Sequence, residues 1–298
     1  MTVGRGSLPA PGNRLALRSL RHSGVASCPW LILSLVTASL LVSCRTRSVP
    51  GPEAIGELDV PRYEDLAVAH NKRVEKLGTI AARGVIEMWW TDDDGRHYEQ
   101  GELDLWIALP GRTALNISKL GHRIMWIGSD ESQTWLFDFR GGLTTLHLAD
   151  PDQEMTMGVM PFEPTLLLYL GGLTSLPAAG GEVRFAREHD AWAIRAPDRP
   201  VLFLDRESLL PVRAELLDEA GGILLYSAMK RSRYERVKLS GVSPLGGPMF
   251  PTLVNIKSTD GRFEVRLSAR GPNNSGVNAD FFDIGWLKGW FKPERDAS

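Results

Sequence analysis

The stretch GVIEMWWTDDDGRHYEQGELDLWIA, residues 84–108, decides the fold class. Ile86, Met88 and Trp90 alternate with Val85, Glu87 and Trp89; beyond Asp92-Asp93-Asp94-Gly95 the period of two returns as Leu103, Leu105 and Ile107 against Glu102, Asp104 and Trp106. Such alternation sorts residues onto two strand faces, and Asp-Gly is a tight-turn signal, so the stretch predicts a long-armed β-hairpin.

Outward from this hairpin the pattern repeats. Residues 113–119, 123–128 and 134–139 read as strands separated by Pro110-Gly111, Gly121 and Gly141-Gly142, which together make an antiparallel meander. Residues 163–170 (EPTLLLYL) interrupt it: Pro164 near the start and Gly171-Gly172 past the end fit a helix, apolar nearly all round and therefore buried. Strands resume at 182–186, 191–195, 201–204, 211–217 and 223–229, and a last pair spans 252–258 and 262–270 around Thr259-Asp260-Gly261. Ahead of the hairpin, residues 63–77 place Leu66, Val68, Ala69, Val74 and Leu77 near one helical face, with Gly78 as the stop. The expectation is a mainly β chain: about eleven strands in a curved antiparallel sheet, its concave face covered by an N-terminal and a mid-chain helix. With every β connection short, parallel βαβ units are excluded.

The N-terminal residues read differently. Arg5, Arg14, Arg18 and Arg21 precede an apolar run at 30–42, with no Asp, Glu or Lys before it, which is the layout of a secretory signal. The run is shorter than the roughly 20 residues of a membrane span. It ends in Leu41-Val42-Ser43-Cys44, which resembles the bacterial lipobox, so residues 1–43 are expected to be a lipoprotein signal peptide and Cys44 the lipidated residue. Residues 44–62, rich in Pro and Gly, read as a flexible tether, and 63–298 as a single domain. Cleavage would also remove Cys28, leaving no thiol for a disulfide, a nucleophile or a metal site. Loss of the four signal arginines leaves 30 basic against 36 acidic residues, which lacks the basic footprint of a nucleic-acid binder.

The chain has no GxSxG elbow, HExxH, GxGxxG after a strand or P-loop. Asp92-Asp93-Asp94-Gly95 lacks the alternating ligands of a calcium loop, and His70, His97, His122, His147 and His189 are scattered. No enzyme, cofactor or metal is expected. What stands out is bulky apolar residues on strands: Ile86, Met88, Trp90, Leu103, Leu105, Ile107, Trp126, Trp135, Phe137 and Phe139, with Leu167 and Leu170 from the mid-chain helix. They either fill an ordinary core or line a cavity for an acyl chain. Residues 281–292 mix aromatics with Lys288 and Lys292, as membrane-interface segments do, or form a last strand or tail packed on the sheet edge.

Several stretches carry a family resemblance: NKRVEKLGTIAARG (71–84), GELDLWIALPGRTALNISKLGHRIMWIGSDESQTWLFDF (101–139), FLDRESLLPVRAELLDEAGG (203–222), FPTLVNIKSTDGRFEVRLSA (250–269) and NADFFD (278–283). In order and pattern they resemble the LolA/LolB lipoprotein-carrier superfamily across residues 63–283. The resemblance implies a half-open barrel closed by helices, a hydrophobic cavity receiving acyl chains of lipid or lipoprotein, and no catalysis. With its own lipobox the chain resembles the membrane-anchored acceptor of that family, which implies a periplasmic carrier protein as partner. Arg45 in place of Asp after Cys44 would by analogy favour the outer membrane, facing the periplasm. The second functional reading is a structural or protein-interaction envelope lipoprotein with a filled core and no cargo.

Overall fold

A computed structural model describes residues 59–130, 132–150, 156–157, 160–161, 164–197, 199–243 and 245–296. The signal peptide, Cys44 and all but the last four residues of the expected tether lie outside the described residues, as does Glu163 of the expected mid-chain helix.

Helix α1 (Tyr63–Leu77) opens the described chain and stops at Gly78, whose φ of 51° suits a residue without Cβ. The meander follows as β1 (Thr79–Asp92), β2 (Gly95–Ala108), β3 (Arg112–Lys119), β4 (His122–Ser129), β5 (Thr134–Asp138) and β6 (Thr145–Ala149). A two-residue pairing, β7 (Thr156–Met157) with β8 (Met160–Pro161), leads to α2 (Pro164–Leu170). Then come β9 (Glu182–Ala186), β10 (Ala191–Arg195), β11 (Val201–Asp205), β12 (Pro211–Leu217), β13 (Ile223–Met229), β14 (Tyr234–Arg236), β15 (Met249–Pro251), β16 (Leu253–Ser258) and β17 (Phe263–Asn273). A 3-10 turn (Ala279–Phe282), helix α3 (Ile284–Phe291) and β18 (Arg295–Asp296) finish it.

One curved, unclosed sheet carries fourteen of these strands in the order β18-β6-β5-β4-β3-β2-β1-β17-β16-β13-β12-β11-β10-β9. All neighbours are antiparallel except β18, which lies parallel to β6. The opening hairpin is as long as its sequence pattern implies: Ile80 pairs with Ile107 and Asp92 with Gly95, so Asp93-Asp94 is the turn. β6, β18 and the short β7, β8, β14 and β15 go beyond the strands expected from sequence; at two or three residues, all but the five-residue β6 are too short for a period to register.

Both faces of the sheet are apolar. The largest cluster fills the face covered by α1 and α2, with Leu66, Leu77, Leu167, Leu168 and Leu170 from the helices against Ile80, Ile86, Leu115, Ile127 and Val265 from the strands. A second cluster lies on the other face of the first half, under α3: Trp126, Trp135, Phe137, Leu146, Phe282 and Leu287. A third, of Ala191, Ala193, Val201 and Phe203, occupies the outer face of the second half. Among the described residues no helix is long and apolar enough to cross a membrane.

Candidate functional site

The twelve residues expected to line one cavity are divided between two faces. Ile86, Met88, Leu103, Leu105, Ile107, Leu167 and Leu170 are buried in the helix-covered cluster, and Trp90 packs against it. Trp126, Trp135 and Phe137 are buried in the outer cluster, with Phe139 packed on it. Strand parity is the reason: Met125 and Ile127 of β4 and Leu136 of β5 point toward the helices, so their neighbours Trp126, Trp135 and Phe137 must point away. The expectation of a single lining is corrected accordingly. The inward set contains Leu115, Ile117, Met125, Ile127 and Leu136, which were not singled out, although their alternation along β3, β4 and β5 carries the same signal.

On the helix-covered side the sheet opens at one end. Met88, Trp90, Ile124 and Met125 wall a pocket of about 170 Å³, rimmed by Glu99, Lys119 and Arg140. The register explains its make-up: Met88 lies opposite Glu99 and Trp90 opposite His97, so here the inward face passes from the Ile and Leu of the core to charged residues. The rim charges are paired. Lys119 Nζ donates to Glu99 Oε1 at 2.5 Å, and Arg140 forks onto Asp138 through Nε to Oδ1 at 3.0 Å and NH2 to Oδ2 at 2.7 Å. Burial opposes the charge on Asp138, yet the Arg140 hydrogen bonds outweigh it and hold that carboxyl below its ordinary range. Trp90 stacks on the His97 ring at 5.1 Å, and Asp92 Oδ1 holds His97 Nε2 at 2.7 Å. That hydrogen bond is the main reason the Asp92 carboxyl titrates low. An apolar throat with a neutralised polar rim can admit a hydrocarbon chain while its polar end stays in water.

What closes this face is α1, fastened to the chain just after α2. The Tyr63 hydroxyl donates to the Pro177 carbonyl at 2.8 Å and His70 Nε2 meets the Thr174 carbonyl at 2.9 Å. Asn71 donates to the Leu176 carbonyl and accepts from its N–H, both at 2.8 Å, and Arg73 donates to the carbonyls of Gly172 and Met249. Sequence periodicity misplaced part of this helix: Val68 is exposed and His70 is buried, because carbonyls about a hundred residues away reward a polar side chain on the inner face. Burial, with the Arg73 charge nearby, lowers the His70 pKa to about 4 against the opposing effect of its Thr174 hydrogen bond. α2 is tied in turn by the Ser227 hydroxyl, which donates to the Leu170 carbonyl at 2.6 Å.

Two further clefts lie on the outer face. One of about 400 Å³ is bordered by Glu182, Arg184, Arg195 and Glu215, and one of about 420 Å³ by Arg83, Asp104, Trp106 and Arg270. Their mixed charge does not suit an apolar ligand. Among the described residues no three His, Cys, Asp or Glu side chains gather as a metal-binding group.

No protein-family model matches the chain, and no curated protein matches it by sequence. Solved structures do match its fold. A domain described as belonging to an outer membrane lipoprotein-sorting protein of Vibrio parahaemolyticus superposes with a TM-score of 0.52 at 13% identity, covering 76% of this chain and 97% of that one. A DUF1329 family protein from Desulfovibrio piger gives the same TM-score, 0.52, at 11% identity, again over 76% and 97%. A LolA superfamily protein from Nitrosomonas europaea aligns over 74% of this chain and 99% of its own at 14% identity, with a TM-score of 0.46. At these identities the first two likenesses establish the fold alone: a curved, unclosed antiparallel sheet covered by helices, as the sequence resemblance implied.

Proposed function

We propose that the chain is a lipid-anchored protein of the bacterial envelope that shelters an acyl chain of a lipid or lipoprotein beneath α1 and α2, without catalysing a reaction. The observation that carries this reading is the apolar throat at Met88, Trp90, Ile124 and Met125, continuous with the helix-covered core and ringed by paired charges. Burial of each methylene would contribute about 0.8 kcal/mol. The throat itself, at about 170 Å³, is smaller than the ~300 Å³ and more of ordinary ligand pockets, so a long chain enters only as α2 gives way. The lipobox at Cys44 supplies the anchor, by which the domain faces the periplasm from the outer membrane and receives cargo from a soluble carrier protein.

Two measurements test this. Mass spectrometry of the chain purified from bacterial membranes should find Cys44 acylated and a lipid co-purified with the domain, and a fluorescent fatty acid should bind and be displaced by unlabelled lipid. Met88→Trp, which fills the throat, should weaken that binding at least tenfold, whereas Phe137→Leu on the outer face should leave it within a factor of two. Equal effects of the two substitutions, or no bound lipid at all, defeat the acyl-chain reading.

The second reading, an envelope scaffold with a filled interior, is favoured by one fact. Leu167, Leu168 and Leu170 already pack into the core cluster on the helix-covered face. It predicts no lipid on the purified protein and a protein partner captured by crosslinking in envelope membranes.

A further inference from the structure

Helix α3 buries only one side. Leu287 is fully buried and Phe291 packs on Trp126, Phe137 and Phe139, while Trp286 and Trp290, one turn apart with ring centroids 4.5 Å apart, stay 37% and 48% exposed. Arg123 lies over the Trp290 and Phe291 rings and fixes that end of the helix. Beside the two tryptophans stands Gly289, where an added Cβ would meet nothing within 4 Å. Glycine weakens a helix relative to alanine, so packing within the fold does not account for it; a bare backbone beside two rings makes a flat surface. Charge is arranged along the helix. The Asp283 carboxylate lies at the N-terminal end, accepting from the Trp286 N–H, and Lys288 and Lys292 lie at the C-terminal end.

We propose that this end of α3 docks on an anionic bilayer, with Trp286 and Trp290 in the headgroup layer and Lys292 against lipid phosphate. Tryptophan seeks that layer because its ring is apolar and its N–H needs a polar partner, and lysine beside it adds attraction to anionic lipid. A protein partner fits less well. A stable interface takes about 800 Å² on each side, far more than an eight-residue helix offers through two rings and a glycine. A weak contact is enough to orient a chain that the proposed Cys44 anchor already holds at the membrane. The inference is separate from acyl binding, which concerns the opposite face of the sheet.

The test uses the full chain with Cys28→Ser, Cys44→Ser and Gly289→Cys, the new thiol carrying an environment-sensitive fluorophore, reconstituted into phosphatidylcholine vesicles with or without phosphatidylglycerol and containing spin-labelled lipid. An N-terminal hexahistidine tag on nickel-chelating lipid holds the chain at the bilayer without an acyl group. The probe at 289 should be strongly quenched in anionic vesicles and several-fold less in neutral ones, while the same probe at Glu219→Cys, in the β12–β13 turn, should be unquenched. Lys292→Asn keeps a residue able to hold the left-handed cap and should lose the preference for anionic lipid. Trp290 also stacks on Phe291, so Trp286→Ser, which leaves that stack in place, is tested alongside the double Trp286→Ser/Trp290→Ser variant. Both should reduce quenching toward the control level. Quenching at 289 no greater than at 219, quenching unchanged by either variant, or crosslinking of residue 289 to a protein with no quenching overturns the proposal.

Discussion

Gly128 and Trp135 face each other across β4 and β5, and a Cβ on Gly128 would lie 2.7 Å from the Trp135 ring. The indole occupies the space a side chain would take, so Gly128→Val should destabilise the protein by about 1–3 kcal/mol and disturb its near-ultraviolet circular dichroism. Gly289→Ala is the opposite case: with open space and a helical backbone it should stabilise by up to about 1 kcal/mol in a urea titration. His70 supplies a pH dependence. Its folded pKa, near 4, lies below the ordinary 6.5, so the unfolded chain binds the extra proton between those values and stability rises with pH across that window. Stability should be complete above about pH 6.5 and fall by on the order of 2–3 kcal/mol as pH drops to about 4. His70→Gln should flatten that portion of the pH–stability curve; an unchanged slope would mean the histidine is not held neutral. Neither the Gly128 nor the His70 environment is visible in sequence, because each depends on a neighbour brought in by strand pairing or helix docking.

Among the elements, legibility followed the strength of the pattern. β1 and β2 alternate cleanly enough for their register to be inferred, and α2 is bracketed by Pro164 and Gly171-Gly172. The faces of β4 and β5 could not be read. Met125-Trp126-Ile127 and Trp135-Leu136-Phe137 are apolar at consecutive positions, since both sides of the sheet are covered there, and an unbroken apolar run carries no parity. α3 was equally ambiguous as a sequence, because two glycines in eight residues argue against the helix that Asp283 caps. The polar side chains of α1 looked like a wet face and are in part its fastening. Asn71→Ala should therefore cost about 1–3 kcal/mol in chemical denaturation, as both backbone groups of Leu176 lose their partner. A loss under half a kcal/mol would show that α1 is held by its apolar contacts alone.

At the scale of the molecule, the overall pattern of hairpins foretold a curved antiparallel sheet with helices on its concave face, and the residue types foretold an apolar interior; the division of that interior into two was hidden with the parity of β4 and β5. The first half of the sheet is consequently a middle layer, with Leu115, Ile127 and Leu136 pressed from one side and Trp126, Trp135 and Phe137 from the other. Such a plate is stiff. Bending it would open gaps against aromatic rings on one side and aliphatic side chains on the other at once, and close-packed interiors resist even small voids. Hydrogen exchange should accordingly be slowest at the amides of β3, β4 and β5, near the global unfolding limit, and faster in α2. The mechanical consequence concerns how room for a guest is made: the strands act as an anvil of fixed shape, and whatever enters is accommodated by displacement of the helical layer alone.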